Sequence, residues 1–585
     1  MKKCPKCGTK LYDGDKQCCN CNFEFPPERP MSKLSLAGFI CSCFPIVIYI
    51  GITVSDTTFN AVTLIIGWIA LLSGIVLSIC GIALGDKKET GFSTAGLAIG
   101  FVGIFPWLLF SMLFWAFRDF DYDKAVADNT APTVMTPQQT EYGETFEEEQ
   151  PHMTFAPHTM DLGTGDERIN LWSFSDDIPK MVLEYIKQNP EFGEKYTVYC
   201  TIYENGSGAN EKTLNNLIAE GGYLAPDIYV VDEELVYKYV QGDMSEHAAT
   251  YKEIGIDVDT KIKEADIAKY SVEVGSRNGE VVALGYQGYG GVMIYNAEIA
   301  KEVFGTDDPE KIEEITGAAS GNWDKFFEAA EKLKEKGYAA VSGPEDIWKV
   351  CDNSTSTSWL VNGELKIDPN REKYFDIAKT IKDNGYSNNN QSWSDNWYYN
   401  MKGEGGNKVF AYFGPVWLIN YVMIGNSGGK AVGEGTYGQW RVCAPPVGFF
   451  WSGSWILANK DTKQKEGVAE LIEWITLDTS ETGLQYLWAN GLIDWDNDPE
   501  TVSVKDAVAS AAVMEKSDGT YEFCGGQDIF PALIRGNKLA SGRSFSPYDE
   551  DISYFFKEAA WQYASGNIDK DEAINRFKQQ VMENI

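Results

Sequence analysis

Histidine is almost missing from this 585-residue chain, which has three, and basic residues are outnumbered by acidic ones, 50 to 85. The formal net charge of −35 argues against a nucleic-acid partner and against docking on an anionic lipid surface, because both need clustered cations. His152 and His158 fall in a polar stretch and only His247 lies beyond it, so chemistry that needs an imidazole base has a single candidate there. Neither an HExxH helix nor a GxxxxGK[ST] phosphate loop occurs, and nothing fixes a pair of catalytic acids. Catalysis is not expected.

What is present begins with cysteine. Cys4-Pro5-Lys6-Cys7 is followed by Cys18-Cys19-Asn20-Cys21, and four thiolates at that spacing can surround one tetrahedral Zn²⁺. Either Cys18 or Cys19 can serve as the third ligand; Cys18 with Cys21 keeps the CxxC spacing, giving Cys4, Cys7, Cys18 and Cys21. A fold of about 20 residues buries too little to be stable without a metal or disulfides. With no secretory signal ahead of these cysteines, the expectation is reduced, cytosolic thiols and a structural zinc. Residues 1–29 are similar to the short zinc ribbons found at the N-termini of many bacterial membrane proteins.

Three apolar runs follow, at residues 35–54, 62–84 and 95–117, each close to the roughly 20 residues that cross a bilayer. Residues 34–117 are therefore expected to form a three-helix membrane anchor. Lys2, Lys3, Lys6, Lys10, Lys16, Arg29 and Lys33 precede the first run, Lys87 and Lys88 separate the second from the third, and the loop 55–60 has no basic residue. That distribution predicts a cytoplasmic N-terminus and, after three spans, an extracellular C-terminal region. The second and third runs have no acidic or basic residue in their interiors, so an ion path through them lacks chemical support. Their recurrent glycines suit close helix packing.

Residues 118–166 turn to Asp, Glu, Thr, Pro and Gln without hydrophobic period and are expected to form an acidic, disordered stalk. Beyond it, strand and helix patterns alternate. Residues 168–172, 196–202 and 225–232 read as strands, and 178–188, 322–336 and 465–475 as amphipathic helices. Repeated βα units imply an α/β fold with a mainly parallel sheet and ligands at the carboxyl ends of its strands. Its length exceeds what one core sustains, so two lobes are expected. Trp323, Phe326, Phe327 and Ala330 recur at helical spacing and are expected in the core. Cys200, Cys351, Cys443 and Cys524 are far apart in sequence; disulfides and reduced buried thiols are both open.

Several segments in order carry a resemblance. These are the strand from Ile169 to Phe174, Ala225-Pro226-Asp227-Ile228, and the run Ala283 to Asn296 with Gly285, Gly288, Gly290 and Gly291. They continue with Val409-Phe410-Ala411-Tyr412-Phe413-Gly414-Pro415-Val416-Trp417, Pro445-Pro446, and Trp451-Ser452-Gly453-Ser454-Trp455. Residues 167–585 resemble an extracellular solute-binding protein of a carbohydrate ABC importer, of the maltose-binding-like family. The resemblance implies a two-lobed periplasmic-binding-protein-like fold, lobe one at about 167–283 and 443–500, lobe two at about 292–440 and 501–585, closing by hinge motion. The first crossing, near 284–292, has glycines able to serve a hinge.

The resemblance also implies site residues. Trp172, Phe174, Asp176 and Asp177 match positions where relatives contact sugar, Asp232 and Glu233 follow the next strand, Gln287 and Tyr289 face the cleft from the crossing, and Trp417 and Trp451 stand opposite. Trp172 can equally be core, and the acids can cap helices. Relatives often place Trp directly after Gly-Pro, where this chain has Val416. Trp393 and Trp397 are weaker aromatic candidates. The implied partners are a carbohydrate, in particular an oligosaccharide, and ABC permease subunits, with the lipid bilayer holding the anchor. The anchor departs from the family's usual cleaved signal and lipid tether. It leaves a second reading, a sensor that reports occupancy to a cytoplasmic partner through the ribbon. A flexible stalk transmits torque poorly, which favours delivery.

Overall fold

The computed structural model describes residues 2–3, 10–11, 158–203, 208–355, 357–361, 363–493, 503–542, 545–546 and 548–585. The four expected zinc ligands, the three apolar runs and most of the acidic stretch lie outside them. Among the described residues no helix is long and apolar enough to cross a membrane. The chain divides into two units, Met1–Glu148 and Glu149–Ile585. In the first, Lys2–Lys3 pairs antiparallel with Lys10–Leu11, and the connection between them carries Cys4 and Cys7.

The second unit is built on two sheets. Besides three short two-stranded ribbons, the strands of these main sheets are β1 (His158–Gly163), β2 (Glu167–Ser173), β3 (Tyr196–Ile202), β4 (Ile228–Asp232), β5 (Ala283–Gly285), β6 (Val292–Asn296), β7 (Ala411–Gly414), β8 (Trp440–Cys443) and β9 (Ser454–Ala458). The first sheet has the order β1-β3-β2-β4-β9-β5 and the second β7-β6-β8. Only β2 with β3 and β2 with β4 are parallel, so the expectation of a mainly parallel sheet is corrected. The reason is connectivity. Parallel neighbours need a crossover within the sheet, whereas β9 enters from the second lobe and meets β4 and β5 antiparallel.

Alternation along the strands separates two cores. Ile169, Leu171, Val198, Ile228, Val230 and Ile456 face one side, where they pack with Ile178, Met181 and Val182 of α1 (Asp177–Gln188). Trp172, Tyr229, Val231, Trp455 and Leu457 face the other, against Tyr239 of α2 (Val236–Val240). The second lobe wraps its sheet with α3 (Asp324–Glu335), α4 (Trp348–Asn353), α5 (Pro369–Asn384), α6 (Asp395–Met401), α7 (Phe530–Leu539), α8 (Asp549–Ala564) and α9 (Lys570–Asn584). Trp323, Phe326 and Ala330 are buried there, with Phe327 packed on the same core. Cys200, Cys351, Cys443 and Cys524 are all free and buried.

Two features depart from expectation. Residues 158–163 belong to the sheet: β1 pairs antiparallel with β3 over its whole length, in a segment read as stalk. Only Met160 and Leu162 alternate there, too short a signal to separate an edge strand from acidic surroundings. The second is the crossing 286–291. A Cβ on Gly288 would lie 2.1 Å from the Val508 carbonyl oxygen, one on Gly290 2.5 Å from the Asn537 nitrogen, and one on Gly291 2.0 Å from the Phe449 ring. These glycines permit close approach of three chain segments. None of the three has a positive φ, so close packing and not a left-handed backbone is what the structure shows them serving.

Candidate functional site

The three segments interlock between the lobes. The Gly291 N–H donates to the Phe449 carbonyl at 2.8 Å, Trp451 N–H to Tyr289 O at 3.1 Å, and Ala509 N–H to Tyr286 O at 2.8 Å. Over this floor opens a cavity of about 460 Å³. One wall is Asp232 to Lys238, after β4 and into α2; the other is Trp348, Lys349 and Asp352 of α4 with the first turns of α8; Trp451 and Ser452 lie at the base. Glu233 spans the walls. Its carboxylate accepts from Asn353 Nδ2 at 2.9 Å and from the Ser452 N–H, and the same amide nitrogen of Asn353 donates to Phe450 O at 2.8 Å.

Beside this cavity the tryptophans collect. Trp393 stacks on Trp417 with ring centroids 6.2 Å apart and planes 8° from parallel. Trp451 meets Trp417 edge-on at 4.8 Å, and Trp417 Nε1 donates to the Trp451 carbonyl at 3.1 Å. Trp393 is 45% exposed and holds φ +68°, a conformation that bulky residues rarely adopt and that recurs where a site demands it. Beneath it Trp397 is buried, its Nε1 donating to Asp346 at 2.6 Å. Lys349 Nζ lies 5.7 Å from the Trp451 ring centroid. Rigid aromatic faces next to carboxylates and amides suit a polyhydroxylated ligand with apolar C–H surfaces.

The expected site residues separate accordingly. Asp232, Glu233 and Trp451 line the cavity, and Trp417 packs on Trp451. Trp172 does not reach it: the ring is buried against Tyr203 in the core behind the first sheet, because β2 directs alternate residues to that face. Phe174 packs between the two cores. Asp176 begins α1 without a side-chain cap and pairs with Lys180 at 2.8 Å. Asp177 accepts from Ser175 Oγ at 3.3 Å. Gln287 holds the floor, accepting from Ser454 N–H at 2.9 Å and donating to Tyr286 OH at 3.1 Å. Tyr289 is buried, its hydroxyl donating to Asp506 at 3.4 Å.

Asp506 was not marked by the sequence. Burial pushes its carboxyl up to about 7, and nearby Asp177 adds to that. An unfolded Asp ionises near 3.8, so this acid stays protonated in the folded state across the window where the unfolded chain has lost its proton. Stability linked to Asp506 is full below about pH 4 and is lost as pH rises towards 7. Asp506→Asn is expected to be less pH-sensitive than the wild type, gaining relative stability between pH 4 and pH 8 in denaturant unfolding. Identical slopes for the two proteins would sink this assignment.

A Gly-x-Ser-x-Gly run occurs at Gly425 to Gly429, but it is spent on structure. Ser427 is fully buried and its hydroxyl donates to the carbonyls of Ile424 and Gly429 at 3.0 and 3.1 Å.

The sequence profile of the bacterial extracellular solute-binding proteins matches residues 184–509. Among solved structures, one of an extracellular solute-binding protein family 1 member aligns with 71% of this chain and 99% of its own, at 16% identity and a TM-score of 0.54. The galacto-N-biose/lacto-N-biose I-binding protein of the ABC transporter from Bifidobacterium longum, solved with lacto-N-biose, aligns with 72% of this chain and 97% of its own at 16% identity and a TM-score of 0.50. The sugar-binding protein MalE from Xanthomonas citri aligns with 71% and 96% at 14% identity and a TM-score of 0.50. At such identities the likeness is one of fold. No curated protein matches the chain.

Proposed function

Because this chain belongs to the bacterial extracellular solute-binding protein family, we propose that its interlobe cleft captures a carbohydrate, in particular an oligosaccharide, and delivers it to the permease of an ABC importer. The observation that carries the reading is the aromatic cluster of Trp393, Trp417 and Trp451 beside a cavity lined by carboxylates of both lobes. Stacking on the tryptophans removes sugar C–H faces from water, and the polar walls take the hydroxyls. Two relatives of the same fold are described as sugar-binding, which supports the choice of ligand class.

In the same reading, residues 34–117 anchor the protein in the membrane, with residues 1–29 on the cytoplasmic side. Cys4, Cys7, Cys18 and Cys21 hold a zinc ion whose four-coordinate shell is purely structural. The test uses the full chain purified from membranes in detergent, titrated calorimetrically with a panel of mono- and oligosaccharides. A saturable sugar is expected, and Trp417→Ala weakens it roughly a hundredfold, because a lost platform also disturbs Trp393 and Trp451. A flat panel with a cooperatively unfolding protein rejects the carbohydrate assignment. The same preparation is expected to carry one zinc per chain, lost in Cys7→Ser; a metal-free wild type rejects the ribbon.

A further inference from the structure

The cleft does not end at Trp451. A second cavity, of about 150 Å³, opens between α5, α8 and the turn at residues 388–391. Tyr554 and Lys557 line both it and the larger cavity, so the two adjoin along α8.

Two of the most exposed aromatics of the second lobe point along this route. Tyr554 is 62% and Trp561 50% exposed, and both line the second cavity. Seven residues apart on one helix, they lie on the same face about 10 Å from each other. Opposite them stand the amides of Asn389, Asn390 and Gln391. Among the described residues the side chains of Asn389 and Gln391 have no hydrogen-bond partner, while the turn that carries them is fixed. Asn388 and Asn390 N–H groups donate to Ser342 O at 3.1 and 3.2 Å. Asn390 Nδ2 donates to Asn400 Oδ1 at 2.8 Å, and Ser392 N–H to Glu345 at 3.0 Å. The next turn of chain places Trp393 on Trp417. One ordered loop thus serves the aromatic cluster and the second cavity together.

We infer that the groove along α8 is an outer subsite for a sugar chain longer than the cleft, its rings stacking on Tyr554 and Trp561 and its hydroxyls meeting Asn389 and Gln391. The inference rests on the carbohydrate reading and deepens it from a sugar to an extended oligosaccharide. A protein partner fits less well. Glu345, Lys382, Lys557 and Glu558 interrupt the strip, whereas the centre of a protein interface is depleted of charge. A turn already set by its backbone hydrogen bonds loses little freedom on binding, which favours a weakly held, flexible ligand end.

The experiment titrates the full-length protein with α-1,4-glucose, β-1,4-glucose and β-galactose oligomers from disaccharide to hexasaccharide. Affinity is expected to rise with length. In Tyr554→Ala/Trp561→Ala the hexasaccharide weakens about a hundredfold, near tenfold per ring, while in Trp561→Ala, whose side chain lines the second cavity and not the larger one, the disaccharide changes less than about twofold. Both positions are exposed, so thermal unfolding of the double variant stays at the wild-type midpoint. Trp417→Ala weakens every length alike. Binding that is lost in Trp417→Ala but shows the same length dependence in wild type and double variant overturns the outer subsite and leaves the sugar reading standing. Absence of binding to every oligomer by a folded protein overturns both.

Discussion

Asp352→Ala is expected to lower stability by about 3–5 kcal/mol, because it leaves a buried guanidinium without its counter-charge. Arg371 Nε donates to Asp352 Oδ1 at 2.7 Å with side chains 0% and 2% exposed. Its Nη1 donates to Thr357 O at 2.9 Å, and the Trp359 ring lies 4.1 Å beneath. The other carboxylate oxygen accepts from Ser553 Oγ at 3.1 Å, tying α4 to α8. Both helices form the cleft wall, so ligand affinity falls with stability. Denaturant unfolding measures the first effect; a loss under about 1 kcal/mol would falsify the view that this pair anchors the wall. Asp352→Leu/Arg371→Met is expected to recover most of the loss, since an apolar pair removes both desolvation penalties.

The second large effect falls on the crossing. Gly291→Ala puts a methyl group into the Phe449 ring, 2.0 Å from its Cζ, and the ring is fully buried. Neither side yields readily: the Gly291 N–H is held by the Phe449 carbonyl, and Asn537 Oδ1 fixes the neighbouring Gly290 N–H at 2.8 Å. A cost of about 3 kcal/mol is expected, together with weaker solute binding, because the segments that overlap form the cleft floor. Gly291→Ala/Phe449→Leu is expected to restore part of both. An unperturbed unfolding midpoint in the single variant would remove close packing as the reason for this glycine.

The βα pattern was legible because it depends on local period. The strands at 168–172 and 196–202 and the helices at 178–188 and 465–475 lie close to Glu167–Ser173, Tyr196–Ile202, Asp177–Gln188 and Lys465–Thr476, where apolar residues repeat cleanly. What sequence could not supply was set by distant partners. The direction of β9 depends on a chain that has travelled through the other lobe. Trp172 and Trp451 look alike as aromatics near strand ends, but the pleat sends the first into the core, whereas the second lies in the loop ahead of β9 and lines the cavity. Trp393 stood out only as one tryptophan in a polar stretch; its stacking on Trp417 arises from a turn anchored to Ser342 and Asn400. Asp506 carries no local signal at all, since the Tyr289 hydroxyl that donates to it comes from more than 200 positions away.

The edge strand at His158–Gly163 gives the molecule a mechanical sense. It is zipped to the outermost position of the first sheet, in register with β3 from end to end. A pull on the chain ahead of residue 158 is therefore taken up first by the first lobe. In the solute-capture reading proposed above, with the lobes closing over the ligand, the first lobe is the stator and the second, which carries Trp393, Trp417 and the α8 groove, is the part that swings.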